Sequence, residues 1–288
     1  MTPLTRKDPG ALIDQIGQLE QLDPIAGAIT KVVQRATQPA VVKNALSGTW
    51  LGHQLHPLLT DVTIGAWLSA SALDVATGGH GDDSARRLTG LGILGALPTA
   101  ASGLSDWSDS YGSDQRVGLA HAIGNTIGLT LQLASYRARR RGQHARGGAL
   151  SLGALGVVSA AGYLGGHLVY ARGVGVNHIA FEYRSADWTD VADAGALQDA
   201  TPMRVDAGGV PVVLVKTADG LFALSASCVH AGGPLDEGEL VDGCLKCPWH
   251  ASMFRLEDGR PTRGPATVNQ PVWQTRIEDG RVQVRAQS

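Results

Sequence analysis

Three stretches of this chain contain no Asp, Glu, Lys or Arg: Ala149–Ala171 over 23 residues, Val117–Tyr136 over 20 and Leu88–Ser105 over 18. A helix that spans a bilayer needs about 20 mainly apolar residues, within a range of roughly 17–25. A fourth and weaker stretch, Pro57–Thr77, is interrupted by Asp61 and Asp74. All four are rich in Gly, Ala and Ser, the residues that let membrane helices approach closely. The competing reading is a soluble Ala/Gly-rich bundle. Composition favours the membrane, because charged residues make up only 17% against about 25% in soluble proteins. The expectation is a transmembrane four-helix bundle crossing the plasma membrane several times.

Other classes are excluded by simple arithmetic. Lys and Arg total 24 against 26 Asp and Glu, a net charge of -2, so there is no basic face for nucleic acid. The three Cys, at 228, 244 and 247, cannot build a disulfide framework. Met1–Gly10 lacks the apolar core of a signal peptide and is interrupted by Asp8 and Pro9. Residues 1–47 then place Leu12, Ile16, Leu19, Ile25, Ile29, Val32 and Val33 at helical spacing, with a break at Asp23-Pro24. Two amphipathic segments, lying on a membrane surface or against the bundle, are expected there.

Beyond about Asn177 the pattern changes to short β-strands. Val210–Lys216, Gly220–Leu224, Val272–Ile277 and Gly280–Arg285 read as strands. Asp219-Gly220, Asp242-Gly243, Asp258-Gly259 and Asp279-Gly280 read as the turns. The fold class expected is α+β multidomain: residues 1–47 an amphipathic segment, 48–176 the bundle, 177–202 a linker, and 203–288 a small antiparallel β-sandwich.

The chemistry concentrates in that last domain. Cys228-Val229-His230 is followed, after 16 residues, by Cys247-Pro248-Trp249-His250. Two thiolates and two imidazoles could hold tetrahedral zinc or a mixed-ligand iron–sulfur cluster. Both pairs sit in Gly- and Pro-bearing loops able to turn backbone N–H groups toward sulfide.

With Gly233-Pro234-Leu235, Phe254, Asp258-Gly259 and Gly264-Pro265-Ala266 added, residues 200–286 resemble a Rieske [2Fe–2S] domain. The resemblance implies that Cys228 and Cys247 bind one iron and that His230 and His250 bind the other. Two His in place of two Cys raise the potential above that of plant-type ferredoxins. Two departures place it with the ferredoxin type, of low to intermediate potential. Gly232, Gly233 and Trp249 stand where quinol-oxidising Rieske proteins carry an extra Cys pair. Ser252 is present but Phe254 replaces a second hydroxyl, so one potential-raising hydrogen bond is lost. Cys244 reads as a small β-domain residue.

Ionisable groups in membrane helices are functional candidates by default. His53 and His56 precede span one, His121 opens span three and His167 lies near the end of span four. Chain direction brings all four to one face, with Asp61, Asp106 and Trp107. Gly124, Gly128, Gly162, Gly165 and Gly166 thin the helices there, as a flat macrocycle would require. Haem b, another metal or a quinone is the expected occupant; capping or interhelical hydrogen bonds are the simpler role. His80, His144 and His178 read as solvated loop residues. Gly48–His53, His56-Pro57, Asp61, Gly65–Trp67, Leu73-Asp74, Gly103–Trp107, Val117–His121, Asn125 and Gly162–His167 are similar to the uncharacterised four-span family DUF2231, across about 45–175. That likeness implies a membrane location and no particular activity.

Orientation rests on opposed arguments. Arg137, Arg139, Arg140, Arg141 and Arg146 would place their loop in the cytoplasm and the Rieske domain outside. Lys31, Arg35 and Lys43 ahead of span one, and the lack of an export signal, argue for the reverse. The function expected is membrane-bound electron transfer, with a redox protein or quinone as partner in a lipid bilayer. One rival is a Rieske oxygenase whose mononuclear iron would use His53, His56 and Asp61. Another is a redox sensor without catalysis.

Overall fold

A computed structural model describes residues 9–78 and 83–287; His80 lies outside the described residues. Seven helices come first: α1 (Pro9–Gly17), α2 (Asp23–Ala36), α3 (Ala40–Ser47), α4 (Leu55–Ala76), α5 (Asp83–Trp107), α6 (Gly112–Arg140) and α7 (His144–Tyr170). Ten strands follow: β1 (Thr189–Asp193), β2 (Met203–Asp206), β3 (Pro211–Thr217), β4 (Gly220–Ser225), β5 (Glu239–Val241), β6 (Cys244–Lys246), β7 (Met253–Arg255), β8 (Pro261–Arg263), β9 (Val272–Glu278) and β10 (Arg281–Ala286). The chain folds as two compact units. One holds the described residues up to Ala36 together with Leu55–Val174, and the other holds Thr37–Gln54 with Gly175–Ser288.

The helical unit contains α4–α7, four long helices that include the bundle expected from the charge-free runs, together with α1 and α2. α4 packs on α5 and α6 on α7. Small residues permit the approach: a methyl at Gly92 would lie 2.3 Å from the Trp67 indole and one at Gly128 2.4 Å from Val158. Large apolar side chains point outward, with Leu94 67% and Leu97 62% exposed. Among the described residues, three helices are long and apolar enough to cross a membrane: Leu55–Ala76, Asp83–Trp107 and His144–Tyr170. This reverses part of the expected ranking. Pro57–Thr77, the weakest run, lies in a span candidate, whereas Val117–Tyr136 lies in α6, diluted by Asn125, Gln132 and the Arg-rich end.

The two charges that weakened those runs belong to each other. Arg139, 2% exposed, donates to Asp74 from Nη1 at 2.7 Å and again from Nη2. Its Nε also reaches Ser135 Oγ at 3.2 Å, and that hydroxyl donates to Gly147 O at 2.7 Å. The Arg cluster read as a loop is therefore mainly helix, since α6 continues to Arg140. α1 and α2 pack on α6, so the bundle is one partner of these segments. Arg116 fixes this corner through Asp23 Oδ1 at 2.6 Å and Gly17 O at 2.9 Å. His144 opens α7 and is half-buried rather than in a loop.

The second unit contains two antiparallel sheets, β1-β10-β9-β4-β3-β2 and β5-β6-β7-β8. Alternation along β3 divides its side chains between two cores. Val213 and Val215 join Leu224, Leu245 and Phe254, while Val212 and Leu214 join Trp273, Val282 and Val284. Two of the four Asp-Gly dipeptides adopt positive φ at both residues, +49° and +73° at Asp242-Gly243 and +49° and +77° at Asp279-Gly280. Tight hairpins with the right-handed strand twist need that geometry. Within the stretch expected as a linker, β1 pairs with β10 at the sheet edge.

Candidate metal centre

Two loops of the β unit carry the four sequence-marked ligands. The first leaves β4 and is closed by the Cys228 N–H to Gly233 O and the Gly232 N–H to Cys228 O, both 2.8 Å. The second leaves β6 and is closed by the Cys247 N–H to Ser252 O at 2.8 Å and the Ala251 N–H to Cys247 O at 3.0 Å. These closures bring like with like. The Cys228 and Cys247 thiols hydrogen-bond to one another, and the His230 and His250 rings meet edge to face at 4.9 Å and 82°. Gly233 is needed for this approach, because a methyl there would sit 2.9 Å from Cys247 Sγ.

The electrostatics suit ligands. The Cys228 hydrogen bond and the Trp249 and His250 backbone N–H groups outweigh burial to lower the Cys247 thiol to about 7. Its partner Cys228 is pushed up by that shared hydrogen bond and by burial. Burial, then His250, Lys43 and His178, lower His230 to about 3, so its imidazole is neutral. His230 Nδ1 is buried without a hydrogen-bond partner, an orphan that a metal bond would satisfy. The donor set thus fits a [2Fe–2S] cluster with two ligands per iron. Zinc would need all four donors around one point, whereas no group of three or more His, Cys, Asp or Glu suited to one metal ion occurs among the described residues.

The supporting residues were not visible as motifs. Gln270, 1% exposed, accepts the Val229 N–H at 3.0 Å and donates to Ser225 O and Ser227 O at 2.7 and 2.8 Å. It staples the first loop from 41 positions away, and an isolated Gln carries no spacing signal. Ser252, fully buried, accepts the Ala266 N–H at 3.0 Å, tying the second loop to the segment after β8. Cys244 lies in β6 with its Sγ 3.5 Å from Thr262 Oγ1, apart from the ligand set. A cleft of about 140 Å³ opens beside His230, lined also by Val229, Pro265, Asn177, His53 and Gln54. His178 is exposed, its N–H on Val229 O at 3.0 Å.

The four histidines grouped by sequence part company. His53 belongs to the β unit. His56 and His121 do meet, with ring centroids 6.5 Å apart. His56 Nδ1 is on Thr99 O at 3.0 Å, and His121 Nδ1 is on Ala161 O at 2.7 Å. The Asn125 amide engages His121 Nε2 at 3.1 Å, and Arg172 reaches His167 Nε2 at 3.4 Å. Both ring nitrogens of His121 are therefore in use, and the set does not fit a bis-His haem. The glycines are also filled from within: a methyl at Gly165 would lie 2.9 Å from His121, one at Gly124 2.9 Å from Ala161. Of the oxygenase set, Asp61 is exposed.

Residues 187–274 match the Rieske [2Fe-2S] domain, and residues 52–178 match a family described as "Predicted membrane protein (DUF2231)". The chain is 32% identical over 99 residues to the anthranilate 1,2-dioxygenase ferredoxin subunit of Burkholderia cepacia, covering 34% of this chain and 92% of that protein. Ferredoxin CarAc of Metapseudomonas resinovorans is 31% identical over 98 residues, with 34% and 92% covered. Among solved structures, the ferredoxin of carbazole 1,9a-dioxygenase from Nocardioides aromaticivorans IC177 is 25% identical, with 35% of this chain and 98% of that chain covered and a TM-score of 0.33.

Proposed function

The chain belongs to the Rieske [2Fe–2S] family and joins that domain to a DUF2231 membrane domain; from this premise we propose a membrane-bound one-electron carrier with Cys228, His230, Cys247 and His250 as cluster ligands. The observation that carries the reading is the pairing of the two thiols and of the two imidazoles across two closed loops. When bound, the cluster supplies one-electron redox chemistry at a potential raised by its two imidazole ligands. This chain's own residues hold it, donate backbone N–H groups to sulfur and bury the thiolate side. His230 forms part of a cleft wall, so a partner seated there touches a ligand.

For the partner we propose either a redox protein, by analogy with the dioxygenase ferredoxin relatives, or a quinone. The cleft beside His230 supports the quinone, because His53, Gln54 and Asn177 offer hydrogen bonds among apolar walls. The His56–His121 pair is a second candidate contact for it within the bundle.

We place the helical unit in the plasma membrane and infer four crossings. A methyl on Gly175 would lie 3.9 Å from Gln54 Cγ, so the chain leaves and re-enters the β unit at one spot. An even number of crossings follows, and α6 completes the three apolar helices. For the domain division we propose a bundle drawn from Leu55–Val174 and a cluster domain built on 203–288, joined by Thr37–Gln54 and β1.

The test is EPR of the reduced, detergent-purified protein with a reduced-minus-oxidised visible spectrum. A Rieske EPR signal without a haem α-band is expected. Absence of the Rieske signal from iron-replete protein overturns the carrier, and a haem band overturns the reading of the bundle histidines.

A further inference from the structure

The short helix α3, which folds with the β unit, is built inside out. Its inward side is polar: Lys43 and Ser47 are buried, and Asn44 accepts the Gly264 N–H at 2.8 Å and donates to Thr262 O at 2.9 Å. Its outward side is apolar. Val41 is 81% exposed, with Val42 and Ala45 exposed beside it. Trp50, 66% exposed, belongs to this outer side, its indole N–H on Ala45 O at 3.3 Å. A helix in water turns its apolar stripe to the core instead. The stretch after α7 repeats the pattern. Ile179 packs on the β core and Glu182 accepts the Ser225 hydroxyl at 2.6 Å, while Phe181 and Tyr183 on either side of Glu182 stand exposed. From Thr189 to Ala286 the exposed large apolar residues among those described are Trp249 and Ile277. The two short stretches 37–54 and 175–188 hold six: Val41, Val42, Trp50, Val176, Phe181 and Tyr183. Exposed apolar surface in this unit is therefore concentrated in two places.

Those places are the stretches covalently joined to α4 and α7, two of the helices able to cross a membrane. Trp50 stands five residues before Leu55, where α4 begins, and Phe181 eleven residues after Tyr170, where α7 ends. An exposed apolar patch marks a contact with protein or with a membrane. A protein partner could claim any face of the unit, whereas lipid is in reach only of residues close to where the chain enters it. Trp and Tyr are also the side chains enriched at the bilayer boundary, where an amphipathic helix lies with its apolar side toward the acyl chains. We propose that the outer side of α3, with Trp50, and the Phe181–Tyr183 pair are a lipid-contacting surface of the β unit, seated in the headgroup region of the bilayer. The proposal rests on the membrane reading above. A helix seated this way needs its polar residues turned to protein and its apolar ones outward, which is the arrangement of α3. Arg184, exposed next to Tyr183, adds a cation of the kind that anionic headgroups attract.

The experiment uses the full chain in nanodiscs of mixed phosphatidylcholine and phosphatidylglycerol. A nitroxide is attached in turn through Trp50→Cys, Phe181→Cys, Leu94→Cys and Ile277→Cys; the three native thiols are buried. Collisions of the label with oxygen, which concentrates in lipid, are compared with collisions with a water-soluble nickel chelate. The oxygen-to-nickel ratio at Trp50 and Phe181 is expected to lie several-fold above that at Ile277 and below that at Leu94 in the bundle. A ratio at Trp50 and Phe181 equal to that at Ile277 overturns the lipid surface. Poor collision with both reagents at these two sites also overturns it, since the patch is then covered by protein, a second copy or another partner. Should Trp50→Cys fail to fold, Val41→Cys reads the same side of α3. A ratio at Leu94 no higher than at Ile277 fails the membrane reading and takes the proposal with it, whereas a high ratio at Leu94 with low ones at Trp50 and Phe181 fails the proposal alone.

Discussion

In the helical unit the enclosed side chains include Ser71, Ser102, Gln132, Arg139 and Ser151, while Leu94 and Leu97 face outward; in the β unit Val212–Val215, Leu224 and Leu245 are enclosed. The two regions are thus built for different solvents. Burial of apolar area, worth about 25 cal/mol per Å², stabilises the β unit in water. Lipid is as apolar as Leu, so the bundle gains little that way and coheres through close small-residue packing and polar bonds. Ser71 and Ser151, 2.9 Å apart, and the Asp74–Arg139 pair are such bonds.

This contrast can be broken most severely at the ligands. Cys228→Ser is expected to abolish the Rieske EPR signal and loosen only the β unit, leaving the helical circular dichroism intact; parallel loss of helix would show that the units do not fold separately. Next is Asp74→Ala, which strands a buried guanidinium. Losing one partner of a buried pair costs about 3–5 kcal/mol, here read as unfolding of the bundle in detergent, with recovery in the Asp74→Ala/Arg139→Met double variant and an unchanged cluster signal. Leu94→Lys sharpens the solvent assignment. A Lys at mid-membrane costs about 2.5–3.5 kcal/mol, so membrane insertion should fall, whereas Ile277→Lys, on the β unit and 57% exposed, should change nothing. Gln270→Ala leaves the Val229 N–H unpaired and should cost about 1–3 kcal/mol, seen as earlier denaturant unfolding of the β unit alone.

The smallest effect is expected at the surface pair of Asp23 and Arg116. Hydrogen bonding from Arg116 holds the Asp23 carboxyl below its ordinary 3.8. A lowered carboxyl contributes stability that is present above 3.8 and lost as pH falls through the folded value. Asp23→Asn should therefore leave melting at neutral pH nearly unchanged and flatten only the acid limb.

What sequence conveys depends on the range of the interaction. Charge-free runs, strand alternation and Asp-Gly turns are local patterns, and the helices, the strand pairs and the two hairpins at Asp242-Gly243 and Asp279-Gly280 follow them. The four proposed ligands form a sequence pattern because each pair is held within one short loop. Asn44 on Thr262, Arg139 on Asp74 and Gln270 on Val229 are separated by 218, 65 and 41 positions. No local period records such pairings. The bundle histidines show the converse hazard: they share a face by chain direction, but side-chain hydrogen bonds, which direction does not specify, gave His121 and His167 other partners.

The split of the β unit around the bundle also has a consequence in time. α3 is synthesised before residues 55–174, and Thr262–Ala266 after them. At about 5–20 residues per second, the wait is on the order of ten seconds or more. Through that interval Asn44 belongs to a nascent chain that still lacks Thr262 and Gly264, its partners in the finished fold. A truncated product ending anywhere within the bundle carries α3 and no Thr262–Ala266 segment, so biosynthesis itself restricts the finished domain to chains whose helices have all been completed.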